Sequence, residues 1–513
     1  MARIAVIGAG LGAMAAAARL AVAGHRVTVY ERTDTYGGAL RRMEREGFSF
    51  DTGPGLLPLP AVYRDLFLKT GREPLEARVE LVQVDPSSHH VFADGTCVPL
   101  PNASRAGVVH ALDAALGPAA AKRWGDFLVR AREAWDRTRR PLLEEPLWPD
   151  WQVLAGREPY PAVPHRKLLR ARTAGTLAEV GAWELRDPRL VSLLEGYALE
   201  HGLDPRSTPA SAAVLPYMEH AFGTWYVRGG MRELARAVYE RCLARGVEFR
   251  FGAEVTGVLE KDGRVAGVEF TESASPGSDS DSGSGGGAVA EADHVIAGVT
   301  PGVLDRLTRG ARVRGEGEVP GRFGTASRLT VLLALRGGRP GGTPHRTVVH
   351  TRDREAELES LFGSPAGLPA HPTVTVLRPD DPALVPDTDH EAVTLTSAVP
   401  AGSSGPGLDE HARNMIIAAE RAVPGLRDRL LRSEVRTPDD ITEATGAEGG
   451  AVPVPALAAA GGRLLHPSNS TGIPGLLTVG GWSHPGGGLP HAGMSGALVA
   501  GLIVEGPEFR GSQ

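Results

Sequence analysis

Six residues near the start of the chain, Gly8-Ala9-Gly10-Leu11-Gly12-Ala13, constrain its fold more than any other segment. They follow a short apolar run, RIAVI at residues 3–7, which ends at glycine as a buried parallel strand does. They open an Ala/Leu-rich stretch, residues 12–23, that reads as a helix stopped by Gly24. Residues 26–30, RVTVY, are β-branched and read as a second strand. Strand, glycine turn, helix and strand within about 30 residues make a βαβ unit. In such a unit Gly8 makes the tight turn and Gly10 lets backbone approach a pyrophosphate. Ala13 takes the third, small-residue position, with Gly12 as an extra glycine beside it, and Leu11 lies between them. The helix start offers free N–H groups and a partial positive charge to phosphates. Glu31 ends the second strand 18 residues after Ala13, where a carboxylate accepts ribose hydroxyls and repels a 2′-phosphate. A dinucleotide site for FAD or NAD is expected, and NADP is disfavoured.

Composition narrows the class. A chain of 513 residues suggests about three folding units. With 42% hydrophobic and 23% charged residues it reads as folded. A net charge of −6 supplies no global basic field, so nucleic acid is not expected as a partner. Two cysteines, Cys97 and Cys242, cannot build a disulfide framework, a zinc cluster or a CxxxxC redox pair, and no metal site is expected. No apolar run reaches the roughly 18 residues of a spanning helix. Arg3 and the Ala-rich stretch after it look like a secretory leader, but the glycine spacing and the following strand favour the βαβ reading. A cytoplasmic protein is expected.

Residues 104–203 are mostly helical in pattern, hold five of the seven tryptophans, and break at a Pro-rich stretch, 141–164. A helix over 231–245 and strands over 247–251, 254–260 and 265–270 follow, the last two joined by a Lys261-Asp262-Gly263 turn. The low-complexity segment 273–287 reads as a solvated loop inserted at a hairpin tip, with pairing resumed at 288–290. Further strands are expected over 294–299, 329–335, 392–399 and 476–479, and a last helix from about 492 to 503. Before that helix, Gly480-Gly481 lets the chain turn against a ligand, and Gly486-Gly487-Gly488-Leu489-Pro490 makes a backbone ledge for a flat ring. The helix dipole there would stabilise negative charge on such a ring.

Gly37-Gly38 after the acid, then GFSFDTGP at 47–54, resemble the FAD-dependent amine oxidase and carotenoid desaturase superfamily, and bacterial-type phytoene desaturases within it. EHAFGTWYVRGG at 219–230, Thr437-Pro438-Asp439 with Gly449-Gly450, and the block from Pro467 to Ile503 extend the likeness. The resemblance implies an α/β fold: a discontinuous Rossmann-like FAD-binding domain with an inserted α+β substrate domain and a helical region. The implied division is FAD domain over 1–75, 219–305 and 465–513, and substrate and helical domain over 76–218 and 306–464. FAD is the implied cofactor, held by Gly8, Gly10, Leu11, Gly12, Ala13, Glu31, Arg32, Gly37, Gly38, Gly53, Pro54, Val255, Gly480, Gly481, Gly488, Leu489 and Pro490. One departure stands out: the family has Arg after the Gly-Gly pair, and this chain has Ala39, leaving Arg32, Arg41 or Arg42 to meet the phosphates.

The implied reaction is dehydrogenation of a hydrophobic isoprenoid such as phytoene, with hydride passing to flavin and a quinone or oxygen as electron acceptor. Glu219 and His484 are the candidates for proton handling. Tyr217, Phe222, Trp225 and Tyr226 are candidates to line an apolar substrate tunnel, and are equally readable as core. The basic stretch HRKLLRAR at 165–172 reads as a helix face that is either solvated or rests on an anionic membrane. The alternatives are another superfamily reaction (amine oxidation, carotenoid isomerisation or oxygenation) or a non-catalytic binder of prenylated proteins. Amine oxidation usually demands a lysine near the flavin, and Lys69, Lys122, Lys167 and Lys261 all lie outside the blocks expected there.

Overall fold

The computed structural model describes residues 1–165, 170–272, 287–310 and 326–511. A five-stranded parallel sheet runs in the order Glu248–Phe251, Arg26–Glu31, Arg3–Ile7, His294–Ala297, Leu476–Thr478. Val6 pairs with Val29 on one side and Ile296 on the other, and Ala297 pairs with Thr478. The first strand is buried beyond Arg3, as its unbroken apolar sequence requires. Segments from both ends of the chain therefore share one sheet.

The opening helix Leu11–Val22 and the terminal helix Leu489–Val504 pack together on that sheet. A Cβ on Gly12 would stand 2.9 Å from the Ala492 carbonyl oxygen, and one on Gly496 would stand 2.6 Å from the Gly12 oxygen. The two backbones thus touch, with Ala15 and Ala16 filling the remaining contact. The terminal helix starts at Leu489, three residues before the sequence pattern suggests, because Pro490 fits a first helical turn. A three-stranded antiparallel sheet, Ala253–Lys261, Arg264–Glu272 and Ala288–Glu291, flanks this unit, so pairing does resume at Ala288; residues 273–286 lie outside the described residues.

The second large sheet has seven strands, in the order Leu430–Arg436, Ala326–Arg336, His390–Pro400, Val374–Leu377, Arg346–Val349, Ser88–Val91, Cys97–Leu100. Alternate residues on its strands, among them Val331, Leu333, Val374, Val376, Val393 and Leu395, face the helix Gly407–Ala419 and form one core. The other face is turned toward the large cavity described below. Helices Pro118–Arg139, Pro188–Glu200 and Val214–Phe222 gather around Trp124 and Phe127 as a helical wall. In the Pro-rich break, Val163–His165 and Arg170–Arg172 pair as antiparallel strands, which corrects the helical reading of 165–172; Pro161 and Pro164 disfavour helix there. Residues 166–169 lie outside the described residues, and Arg172 stacks on Trp183, 3.8 Å from its ring centre. No helix of the described residues is long and apolar enough to cross a membrane.

Because the two helices meet backbone to backbone, Gly496→Val should lower stability by about 1–3 kcal/mol and loosen the flavin site together with the fold. A thermal midpoint within a degree of wild type would show that the crossing tolerates a side chain.

Candidate cofactor and substrate site

The glycine turn lies between two chain segments that hold its shape. Gly37 N–H donates to the Ala9 carbonyl at 2.8 Å, and a Cβ on Gly38 would stand 3.1 Å from the Gly10 Cα. Glu31 is buried, and its carboxylate accepts the Ala9 N–H at 2.8 Å, the Thr33 N–H at 2.9 Å and the Thr33 hydroxyl at 2.8 Å. Gly10 itself has open space where a Cβ would point, and no side chain caps the helix that it starts. That helix end therefore presents unpaired N–H groups to an open backbone surface. Gly8 and Ala13 pack on Gly298 of the neighbouring strand's end, while Gly12 serves the terminal helix. Leu11 is buried as the first residue of its helix.

Of the three arginines near the Gly-Gly pair, only Arg41 stays beside the turn. Its guanidinium donates to the Gly38 carbonyl at 3.1 Å and reaches the Thr33 hydroxyl at 3.1 Å, with no carboxylate partner among the described residues. Arg32 turns away to the Glu443 carbonyl, and Arg42 pairs with Glu233. Val255 lies in the flanking sheet, in one core with Tyr30 and Phe270.

The C-terminal ledge divides its glycines between two tasks. Gly480 faces open space, as Gly10 does. Gly481, Gly486 and Gly487 instead admit the segment 453–455: a Cβ on Gly487 would stand 1.9 Å from the Pro453 carbonyl oxygen. Leu489 is buried, with its carbonyl accepting the Tyr63 hydroxyl at 2.7 Å. The terminal helix has Gly488 at its N-cap with no side-chain cap, so a second free helix end points into the cleft.

From that end a cavity of about 320 Å³ extends along the free face of the seven-stranded sheet. This lies within the range of small-molecule sites. Gly488, Pro490 and His491 form one end, and Gly53, Pro54 and Gly55 border it. Its floor comes from Arg328, Thr375, Thr394, Thr396, Arg346 and His350, and its helical wall from Leu193, Tyr197, Leu215 and Met218. Arg346 is almost fully buried between two carboxylates, with Glu219 at 2.9 Å and Glu200 on its other side. Glu219 also accepts the Tyr197 hydroxyl at 3.2 Å and the Ser87 hydroxyl at 3.4 Å. Asp51, in the GFSFDTGP block, accepts the Met231 N–H at 2.7 Å and caps the helix Arg232–Ala244. Burial raises its carboxyl to about 6.

The structure separates several of the sequence candidates. Glu219 lines the cavity, whereas His484 does not: it is fully buried, its Nε2–H donating to the Glu145 carbonyl at 2.9 Å. It braces the ledge against the helical region, and its distance from the cavity follows from the turn that packs Pro485 and Gly486 on 454–456. Of the four aromatic candidates only Tyr226 reaches the cavity, with its hydroxyl on Asp381 at 2.7 Å. Tyr217 and Phe222 pack with Trp135 in the helical core, and Trp225 lies under the Arg64 guanidinium beside the first core. Sequence reading missed the sheet floor and His491. The strand AVTLTSAV was visible, but which of its faces meets a cavity depends on strands up to 300 residues away.

These residues fit a dinucleotide carrying a flat redox ring. Two uncapped helix ends, a buried acid at the end of the second strand and bare backbone at Gly10 and Gly480 lie along one path. The fold and site define a flavin-dependent oxidoreductase. The chain belongs to the flavin-containing amine oxidoreductases, the family description of which matches residues 13–317, and its cofactor is FAD. Among curated relatives it is similar to a 4,4'-diapolycopene oxygenase of Methylomonas sp (28% identical, 98% of each chain covered). It is also similar to a hydroxyneurosporene desaturase of Rhodobacter capsulatus (29% identical; 98% of this chain and 97% of the relative). A third is a zeta-carotene-forming phytoene desaturase of Myxococcus xanthus (27% identical; 97% and 93%). Among solved structures, an oxidoreductase from Methanosarcina mazei superposes with a TM-score of 0.63 at 17% identity, covering 97% of this chain and 99% of that one, and shares the fold.

Gly10→Val is expected to fold with a near-native thermal midpoint, since its side chain meets only open space, yet to purify without flavin absorbance. Retained stoichiometric FAD would remove the turn from the cofactor site. Buried histidines supply a second expectation. Burial lowers His201, His466 and His484 to about 4, and His220 and His491 to about 3, so these rings stay neutral in the fold. The unfolded chain takes up their protons near pH 6.5, so stability falls as pH drops from about 6.5 toward 4. Asp51 at about 6 and Glu158 at about 7 act in the opposite sense, but are outnumbered. Thermal midpoints across this range should decline, and less steeply for His484→Gln; a flat profile would contradict neutral burial.

Proposed function

We propose that this protein is a carotenoid desaturase, introducing double bonds into a hydrophobic acyclic polyene. The observation that supports this reading most is the cavity bordered by the start of the terminal helix, with an apolar helical wall of Leu193, Leu215 and Met218. The amine alternative is weaker because no lysine lines the cavity among the described residues. A non-catalytic role fits poorly with open backbone at both Gly10 and Gly480.

When bound, FAD supplies a two-electron acceptor that takes hydride from a substrate carbon. Each new double bond also releases one proton from the adjacent carbon, and that proton needs a carboxylate or water. Glu219 is the proton acceptor in this proposal: it lines the cavity, and Arg346, Tyr197 and Ser87 fix its two oxygens. Glu200 shares Arg346 and keeps the guanidinium in place when Glu219 changes charge. His491 is unsuited to storing a proton, because burial and the neighbouring histidines hold its ring down to about 3. It acts instead as a neutral wall beside the ring end. Gly8, Gly10, Ala13 and Arg41 would hold the diphosphate, Glu31 the ribose, and Gly480, Gly488 and Pro490 the ring. Reoxidation by a quinone or by oxygen, a peripheral membrane contact, and the division into FAD segments 1–75, 219–305 and 465–513 belong to the same proposal.

Purified holoenzyme given phytoene and a quinone should yield products with longer conjugation, read by absorbance after extraction. Unchanged phytoene beside turnover of an amine would reject the reading. Glu219→Gln should retain FAD and lose about 10²–10⁴-fold in turnover. Full activity in that variant would take Glu219 out of the mechanism.

A further inference from the structure

Among the charged groups that line the cavity, Arg328 has no opposite charge of its own. Its neighbour Leu329 faces the core against the helix Gly407–Ala419, and Arg328 lies half-buried on the cavity floor beside Ala398 of the next strand. The guanidinium donates to the carbonyl of Glu200, the last residue of the helix Pro188–Glu200. That bond is a helix C-cap, where partial negative charge favours a cation. It occupies one end of the fork, and no carboxylate bonds the rest among the described residues. The carboxylate of Glu200 is committed to Arg346. Other buried arginines of this sheet are compensated: Arg346 by Glu200 and Glu219, and Arg378 by both oxygens of Glu391. Nearby rings do not supply the missing charge. His201 and His491 line the same cavity, and burial keeps both neutral, at about 4 and about 3. Neither side chain has a hydrogen-bond partner among the described residues, and His491 Nδ1 is buried and unpaired. The start of this strand is also tied to the cofactor ledge. Ser327 donates its hydroxyl to the Gly450 carbonyl at 2.7 Å, and Val452 N–H donates to the Ala326 carbonyl at 3.2 Å. The next residues, 453–455, are those that the ledge glycines admit. Arg328 thus belongs to the end of the floor that Gly488, Pro490 and His491 border.

We propose that Arg328 binds a carboxylate carried by the substrate itself, so that the ligand of this cavity is a polyene ending in an acid. This rests on the desaturase reading and narrows its substrate class. A planar guanidinium fork with unspent N–H groups matches the two oxygens of a carboxylate. Such a ligand brings the missing counter-charge, whereas a plain hydrocarbon would leave a desolvated guanidinium unpaired. His201, within electrostatic reach of Arg328, has a ring N–H to add. Anchoring the acid here also sets the register of the chain. Carbons next to the carboxylate come nearest to the cofactor end, and the apolar remainder lies along Leu193, Leu215 and Met218.

The test gives holoenzyme an acyclic polyene acid, its methyl ester, the hydrocarbon of equal length, and acetate. Binding is read from the change in flavin absorbance, and turnover from the absorbance of extracted products. Wild type should bind the acid about tenfold or more tightly than the ester or the hydrocarbon. Arg328→Gln should bring the acid-to-ester ratio close to one, and Arg328→Lys should keep part of the preference. Thermal midpoint and flavin content confirm that each variant is folded. Equal binding of acid and ester by wild type, or an unchanged ratio in folded Arg328→Gln, would overturn the proposal. Should Arg328→Gln fail to fold, the wild-type ratio and Arg328→Lys decide. A change produced by acetate, with no preference between acid and ester, would assign the guanidinium to a free anion and overturn it too. Tight binding of the acid that depends on Arg328, without oxidation of any polyene, would sustain the subsite and reject the desaturase chemistry. Equal oxidation of all three polyenes would do the reverse.

Discussion

The close crossing of the opening and terminal helices governs the rest of the molecule. Helices that meet through Gly12 and Gly496 sit nearer than side chains normally permit, and this proximity brings two helix N-termini to one cleft. Each end alone is a weak anion site. They are held side by side on a parallel sheet whose strands come from 3–31, 248–251, 294–297 and 476–478, so both ends serve one cofactor cleft. Small residues at this contact are therefore a condition of the chemistry, and the Ala-rich opening helix is the sequence's answer to it.

Much of this was legible beforehand because its determinants are local. The turn Gly8–Ala13, the acid at Glu31 and the second strand occupy a few dozen residues, and their spacing carries the geometry. Elements such as Arg232–Ala244 and His390–Pro400 were also visible from pattern, with ends differing by a residue or two. The site was legible only in part. Glycines 486 and 487 look like a ledge for a ring, yet they exist to admit the 453–455 backbone, a contact no spacing rule encodes. His484 sits in the most family-like block and still points away from the cavity, because the chain turns at Pro485. Aromatic residues Tyr217, Phe222 and Trp225 are reasonable tunnel candidates by type, but type does not say on which side of a helix or strand a cavity lies.

The seven-stranded sheet shows a division that composition hides. One set of alternating positions builds a dry core against the helix Gly407–Ala419, and the other set offers hydroxyls, imidazoles and two guanidinium groups to the cavity. Strand alternation makes such a split cheap in sequence, since only every second residue must change character. Arg346, clamped by Glu200 and Glu219, shows how a charge is tolerated there: both partners are within reach, and the buried ion is never left alone.

The order of the polypeptide has a consequence for how the holoprotein is born. The turn that starts the nucleotide path leaves the ribosome early, whereas the strand Leu476–Thr478 and the helix that complete that path emerge long afterwards. Until that segment is made, the Ala-rich opening helix packs only on earlier partners such as the helix Arg232–Ala244 and lacks the one that closes the cleft. The cleft for the prosthetic group is complete only when the strand Leu476–Thr478 has joined the sheet and the helix after it has docked on the opening helix.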